Sequence, residues 1–307
     1  MKVWRAFLCA LPVFAAGCVE PSDPAPATRA AAQPAPEQAT PAAAKPAPAR
    51  PVMPAELTLS GERTQGGWMK GKAPAETRQL LFNGRAVPVA ADGAFLIAFD
   101  RDAGTQARLV ATLADGNTLT RDIEVSPREW KIEHVAVGPR PGAMPSEEFK
   151  RRRAAELARI NAARAKVTGA EGWRQSFIWP AKGRLSGLFG SQRIYRGTPG
   201  SYHSGMDIAT GTSGTVFVAP ADGVVILAAE TPFTLEGNLL MMDHGMGLNS
   251  AFLHCSELLV KEGDHVRQGQ PIGRIGATGR ATGPHLHWSI KWRDARLDPL
   301  LFTGPPQ

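Results

Sequence analysis

Two shortages, of cysteine and of long apolar segments, narrow the classes to which this protein can belong. The 307-residue chain has three cysteines, Cys9, Cys18 and Cys255, which are too few for a disulfide framework. An apolar run from Ala6 to Ala16 is too short to span a bilayer, and no other stretch is long and apolar enough. We therefore expect neither a disulfide-stapled fold nor transmembrane helices.

The first residues have the form of an export signal. Lys2 and Arg5 precede the apolar run and small residues follow it, which is typical of a secretory signal peptide over residues 1–17. Ala15-Ala16-Gly17-Cys18 resembles the lipobox of bacterial lipoproteins, in which the cysteine is lipidated, although Ala15 stands where leucine is usual. We expect a lipid anchor at Cys18; ordinary cleavage near Ala15, leaving a soluble secreted protein, is the alternative.

Composition and charge favour an anionic partner. The formal net charge is +7 and the sequence pI is about 9.6, which suits nucleic acid, acidic lipid or the acidic polymers of a cell wall. Nucleic acid is the weakest of these, because the chain is exported and no nucleic-acid-binding motif is visible.

Residues 18–50 are mostly Ala and Pro and cannot bury enough apolar area to offset their ordering entropy. This composition predicts a disordered tether.

Residues 51–138 predict a small β-sandwich, since short runs rich in Val, Ile, Leu, Phe and Thr alternate with strong turn signals such as Asn83-Gly84 and Asp92-Gly93. The predicted strands are Leu57–Ser60, Gln79–Phe82, Ala86–Ala90, Phe95–Phe99, Arg108–Leu113, Thr118–Val125 and Trp130–Val137.

Residues 139–172 predict a helical connector, with a helix over 144–168. Ser146 can cap this helix, and acidic residues in the first turn suit its dipole. The basic residues that follow allow two interpretations: a solvated connecting helix, or an electrostatic contact with anionic wall polymer or lipid.

Residues 173–307 return to a β pattern and hold most of the histidines. Strands are predicted at Gly214–Val218, Val224–Ala229, Asn238–Asp243, Leu248–Leu253, Gln270–Ile275 and Leu286–Trp292. Six of the seven histidines lie after residue 200. This clustering indicates that the chemistry of the protein belongs to its C-terminal part.

Four of these histidines form patterns with chemical meaning. His203 and Asp207, four residues apart, can lie on one side of an extended or turning segment. His285 and His287 are two apart on a predicted strand, so both rings leave the same face, and His254 closes another apolar strand. Imidazole and carboxylate groups with no nearby thiol cluster favour a catalytic zinc site with three protein ligands and an open position, at which a bound water becomes a nucleophile.

The order and context of these residues resemble the lysostaphin/LytM-type zinc endopeptidases. The resemblance covers roughly residues 175–302 and includes Ala219-Pro220-Ala221-Asp222-Gly223, Asp243-His244-Gly245 and Gly276-Ala277-Thr278-Gly279-Arg280-Ala281-Thr282-Gly283-Pro284-His285-Leu286-His287. The family implies an antiparallel β-sheet peptidase domain with a groove over the sheet and the metal at its floor. Together with the upstream prediction, the expected fold class is all-β, with a β-sandwich and a connecting helix before the peptidase domain.

The resemblance also implies a role for each matching residue. His203, Asp207 and His287 would bind Zn²⁺, His285 would act as general base, and His254 would help to hold the oxyanion. Asn238 and Arg193 match positions that line or support the groove, whereas His244 and His265 match no catalytic position and are expected at the surface or in turns. Cys255, where leucine is common, is expected to be a buried packing residue.

The implied activity is zinc-dependent hydrolysis of peptide cross-links in bacterial peptidoglycan, with D-Ala–diaminopimelate as the expected bond. Some family members are non-catalytic activators of cell-wall amidases, but they have lost zinc ligands, which are all present here. A purely structural wall-binding lipoprotein would leave the histidine clustering unexplained. We expect a periplasmic or envelope protein, and, if lipidated, one at the outer membrane, because Val19 stands where Asp commonly signals inner-membrane retention.

Overall fold

Short strands occupy the first part of the chain, as its turn signals predict. The computed structural model describes residues 56–136, 146–229 and 231–305; the predicted signal peptide, the lipidation site at Cys18 and the tether lie outside this range. The first strands are β1 (Thr58–Gly61), β2 (Trp68–Lys72), β3 (Thr77–Phe82), β4 (Arg85–Ala86), β5 (Ala94–Ala98), β6 (Gln106–Leu113), β7 (Thr118–Glu124) and β8 (Ile132–Val135).

The first seven of these strands form two antiparallel sheets, in the orders β1-β2-β5 and β4-β3-β6-β7. Strand β2 was not predicted, because two lysines and a glycine in its five residues hide the apolar alternation. The strand predicted at Ala86–Ala90 ends at Ala86, since Pro88 lacks the N–H that would continue a ladder. The prediction of an all-β chain is confirmed.

The C-terminal part contains the helices and the remaining strands. Helix α1 spans Glu147–Arg164, a 3₁₀ turn spans Gly172–Arg174 and helix α2 spans Leu300–Thr303. The strands are β9 (Arg184–Gly187), β10 (Gln192–Tyr195), β11 (Thr198–Pro199), β12 (Met206–Ala209), β13 (Val216–Val218), β14 (Gly223–Ala228), β15 (Asn238–Asp243), β16 (Leu248–Cys255), β17 (Glu257–Leu258), β18 (His265–Val266), β19 (Pro271–Arg274), β20 (Leu286–Trp292) and β21 (Ala295–Leu297).

One large antiparallel sheet carries the histidines. Its order is β18-β14-β15-β16-β20-β12-β9, with β21 paired to β20. Because cross-strand partners share a face, Met206, Trp288 and Phe252 lie together on one side, where all three are buried in the main core. Asp207, His287 and Leu253 are register partners one residue further along and lie on the opposite side. We call this opposite side the site face.

Helix α1 packs on the site face of the large sheet. Its N-terminus is capped as predicted: the Ser146 hydroxyl accepts a hydrogen bond from the Phe149 N–H at 3.1 Å. Ile160 and Ala163 are buried in a second apolar cluster with Met241 and Ala251 of the sheet. The helix therefore forms a wall of the site face, a position that its weak apolar stripe did not predict.

The upstream sheets and the large sheet share one core. Phe82 packs edge-on against Trp292, with ring centroids 6.1 Å apart, and Trp68 stacks on Phe302 at 4.9 Å. Strand β8 pairs in parallel with β10 in a small sheet of order β11-β10-β8, which joins an upstream strand to two C-terminal ones. None of the helices in the described ranges is long and apolar enough to cross a membrane.

Candidate metal centre

Three side chains converge on one point of the site face. His203 precedes β12, Asp207 lies in β12, and His287 lies opposite Asp207 in β20. His203 Nε2 is 3.0 Å from Asp207 Oδ1 and 3.1 Å from His287 Nδ1, and His287 Nδ1 is 2.9 Å from Asp207 Oδ1. Ligand atoms around tetrahedral zinc, with bonds of about 2.0–2.1 Å, stand about 3.3 Å apart. The three atoms therefore have the spacing and the chemistry of a metal-binding set.

The hydrogen bonds of the rings fix which nitrogen faces the centre. Nδ1 of His203 lies 3.2 Å from the Leu188 carbonyl, that of His254 lies 2.9 Å from the Thr278 carbonyl, and that of His285 lies 2.8 Å from the Gly283 carbonyl. A carbonyl oxygen can only accept, so each neutral ring carries its proton on Nδ1 and has its lone pair on Nε2. Such carbonyl partners orient metal-ligating histidines in general.

The electrostatics of the centre suit a cation. Burial alone would raise the pKa of Asp207, but hydrogen bonds and charge from His203 and His287 outweigh it and hold that pKa far below its usual value. Burial lowers the pKa of His287. It would also lower the pKa of His203, but Asp207 reverses this and leaves the His203 pKa raised. An ionised carboxylate among imidazoles is the state that binds a metal ion.

Two glycines allow the ligands to approach the backbone this closely. A Cβ at Gly205, inside the His203–Asp207 motif, would lie 2.5 Å from the Trp288 carbonyl oxygen and 2.7 Å from Nε2 of His287. A Cβ at Gly187 would collide with the Asp207 carboxylate. Any side chain at either position would displace a ligand, so these glycines belong to the site.

His203 is held by a loop that an upstream residue secures. The backbone of His203 bonds to Gly190 and Ser191, each at 2.8 Å. The buried Arg101 guanidinium donates to the Gly190 carbonyl at 3.0 Å and lies over the Tyr202 ring, 4.7 Å from its centroid. Arg101, which follows β5, therefore supports the loop of His203 through tertiary contacts alone, and nothing in the sequence motif signals it.

His254 faces the centre because its backbone leaves the regular strand path. Its φ is 64°, a left-handed value that is uncommon for residues other than glycine. The His254 N–H donates to the Glu236 carbonyl at 2.8 Å. Its ring lies 4.8 Å from that of His285 and 6.3 Å from that of His287, measured between centroids. The structure thus brings all five predicted site residues together.

The other residues considered from the sequence lie elsewhere or act as supports. His244 lies at the turn between β15 and β16, one of its two expected positions, but it is fully buried there, and burial lowers its pKa to about 4. His265 is exposed in β18. The Asn238 side chain donates to the Cys255 carbonyl at 2.9 Å, and the exposed Arg193 pairs with Glu133. Cys255 itself is fully buried, as expected.

Similarity to known proteins covers the same segment. Residues 201–299, which include all five site residues, match peptidase family M23. The chain carries a peptidase family M23 domain. A crystal structure from Pseudomonas aeruginosa, described as that of a "putative peptidase M23", superposes with a TM-score of 0.61 at 28% identity and covers 79% of this chain and 96% of that one.

Two characterised relatives of the M23 domain differ in their described activities. The peptidoglycan DD-endopeptidase ShyA of Vibrio cholerae is 39% identical over 132 residues, which cover 43% of this chain and 30% of ShyA. The murein hydrolase activator NlpD of Escherichia coli is 32% identical over 130 residues, which cover 42% of this chain and 31% of NlpD. The matched segment thus spans about a third of each relative's length.

Proposed function

We propose that this protein is a zinc-dependent endopeptidase that hydrolyses peptide cross-links in bacterial peptidoglycan. The observation that carries the proposal is the complete donor set: two imidazole nitrogens and one carboxylate oxygen within 3.1 Å of one another. A domain that served only to activate another hydrolase would not need this set or the two further histidines beside it. Peptidoglycan as substrate is supported by the similarity to ShyA.

His203, Asp207 and His287 would hold the zinc ion. When bound, zinc supplies a Lewis acid that polarises the scissile carbonyl and acidifies the attacking water. His285 accepts the proton of that water, because its Nε2 carries the lone pair and lies 3.8 Å from Asp207 Oδ1, at the edge of the ligand set. Its hydrogen bond to the Gly283 carbonyl fixes the ring for this transfer.

His254 stabilises the oxyanion, but only when it carries two protons. Its Nδ1–H is directed to the Thr278 carbonyl, so Nε2 can donate to an oxyanion only as imidazolium. Burial, and then the charges of neighbouring histidines, lower the pKa of His254. The ring is therefore neutral in the resting site at neutral pH. This role requires that His254 gain a proton as negative charge develops beside it, and the source is the water proton that His285 accepts, since the two rings lie 4.8 Å apart between centroids.

The test is digestion of purified peptidoglycan, with and without a chelator, followed by mass spectrometry of the released muropeptides. Chelator-sensitive loss of cross-linked dimers is expected, and cleavage between D-Ala and diaminopimelate would identify the bond. Asp207→Ala and His287→Ala should remove zinc and activity, whereas His265→Ala, a matched change at an exposed histidine, should retain both. Full activity of Asp207→Ala would refute the ligand assignment.

Two other outcomes would contradict the endopeptidase proposal. Stripped glycan with free stem peptides would indicate amidase activity. Bound zinc without any cleavage, combined with stimulation of an added amidase, would indicate an activator such as NlpD is described to be.

The cell envelope is the proposed location, with Cys18 as the site of a lipid anchor. The signal-like N-terminus supports export, and a lipid on Cys18 would keep the peptidase domain close to its polymer. Metabolic labelling with a fatty acid should mark the natural protein and not Cys18→Ala. Equal labelling of the two would exclude this residue as the anchor.

A further inference from the structure

Three cations gather on the site face, along the strand that carries His287. Lys291 lies four residues after His287 in β20, so both side chains leave the same face, about 13 Å apart at about 3.3 Å per residue. Arg296 of β21 is the register partner of Lys291 and shares that face. Arg164 ends helix α1, directly after Ala163, which packs on Ala251. We call these three residues the cation cluster.

The cations are close enough to perturb one another. Burial, and then the charges of Arg164 and Arg296, lower the pKa of Lys291 by more than Asp294 and Asp100 raise it. These two carboxylates already have partners, since Asp294 pairs with Arg85 and Asp100 accepts from the Arg296 backbone N–H. Burial, and then the charge of Arg296, lower the pKa of Arg164. Ser289 lies on this face between Lys291 and His287, beside its register partner Ala251, which is buried with Ala163 of helix α1.

Two of these cations have no partner among the described residues. Neither Arg164 nor Lys291 makes a salt bridge or a side-chain hydrogen bond there, and Arg164 Nε is buried without any acceptor. Glu236, whose charge acts on Arg164, is already bound by both terminal nitrogens of Arg153, each at 2.6 Å. The third cation, Arg296, donates to the Tyr202 hydroxyl at 3.1 Å. An unpaired, half-buried cation costs stability, so two side by side indicate a site for an anion.

We infer that the cation cluster binds a carboxylate of the peptide strand that the metal centre cleaves. This inference rests on the proposed function and specifies the substrate. The cleaved strand carries an acidic residue within about four residues of the scissile bond, because four residues of extended peptide span about 13 Å. An extended strand lying along β20 from His287 passes over Ser289 to Lys291. Arg164 then contributes a second donor from the helical wall, and the guanidinium fork suits a carboxylate.

The test compares two cross-linked peptides, with the carboxyl groups of the acyl-donor strand either free or converted to carboxamides. The natural chain, loaded with zinc, should bind and cleave the free-acid peptide roughly 10-fold or more better, the effect expected of one charge-assisted hydrogen bond. Arg164→Gln and Lys291→Gln should lose this preference, because their Kd and kcat/KM for the free acid fall to the values for the amide.

Arg151→Gln and Lys261→Gln are matched controls, since they remove the same charges from exposed positions on the same helix and on a distant turn. Both should keep the natural preference. Retention of full discrimination by folded Arg164→Gln or Lys291→Gln would refute the inference, and so would equal Kd values of the natural chain for the two peptides. Absence of cleavage by the natural chain would count against the endopeptidase proposal alone, because the Kd comparison still decides whether the cluster binds a carboxylate.

Discussion

Replacement of Arg153 by Met should destabilise the protein and disturb the site from a distance. Arg153 holds Glu236 through two bonds of 2.6 Å and also bonds to Glu156 at 3.2 Å. The side chains of Arg153 and Glu236 are only 18% and 14% exposed. Removing one member of a buried ion pair leaves the other charge without compensation, which costs about 3–5 kcal/mol.

The lower end of that range, about 3 kcal/mol, is expected because some solvent reaches the pair. Urea denaturation at a fixed zinc concentration is the assay, since bound metal shifts apparent stability. Arg151→Met is the control: its side chain is exposed on the same helix, and its loss should cost less than about 1 kcal/mol. A double replacement, Arg153→Met with Glu236→Leu, should recover much of the loss, because no unpaired charge remains at the pair.

Activity should fall with Arg153→Met as well. The Glu236 carbonyl accepts the bond that holds the His254 backbone at its unusual φ, so movement of Glu236 shifts the ring. A folded Arg153→Met protein that loses less than 1 kcal/mol and keeps natural kcat/KM would refute this account of the contact between helix and site.

Three further predictions follow from buried groups. The pKa of His244 is about 4 in the folded state, so the free energy of unfolding should be highest above about pH 6.5 and fall by up to about 3 kcal/mol towards pH 4. Denaturation measured over this pH range should show a shallower decline for His244→Asn. The same slope for both proteins would contradict this. Arg101→Met should weaken zinc affinity about 10- to 100-fold by loosening the loop that orients His203, whereas replacement of the exposed Arg121 by Met should leave the affinity unchanged. Competition with a chromophoric chelator measures the zinc affinity of both variants, and equal affinities would contradict the prediction. Burial raises the pKa of Cys255 to about 12. In a protein with Cys9 and Cys18 replaced by Ser, a disulfide reagent should therefore react with Cys255 only after unfolding. Rapid labelling of the folded chain would disprove the burial of Cys255.

The sequence predicted those helices and strands whose bounds depend on residues close to them in the chain. Strands β15 and β20 have the predicted bounds, because β15 contains a continuous apolar run and β20 alternates apolar with polar residues. Ser146 caps α1 as expected, since a cap needs only a side-chain oxygen three residues before an unpaired N–H. Lysines and a glycine hide the period of β2, and the short strands β9, β17 and β18 carry too few residues for a detectable period.

The candidate site also has one part that the sequence predicts and one part that only the fold brings together. Two spacings, His203 to Asp207 and His285 to His287, are visible in the sequence because each pair sits on one short segment. Their meeting depends on the register between β12 and β20, which places Asp207 opposite His287 across 80 residues of chain. No local pattern fixes that register, which is set by burial of the opposite face.

The sequence by itself determined the all-β class, the histidine spacings and the family of the C-terminal domain, because these depend on residue type and short-range order. Only the tertiary structure decided that Arg101 supports a ligand loop, that α1 walls the site face, and that Arg164 meets Lys291 and Arg296. The physical reason is that these contacts join segments that are 60 or more residues apart, and long-range packing, unlike a turn or a cap, leaves no periodic mark in the chain.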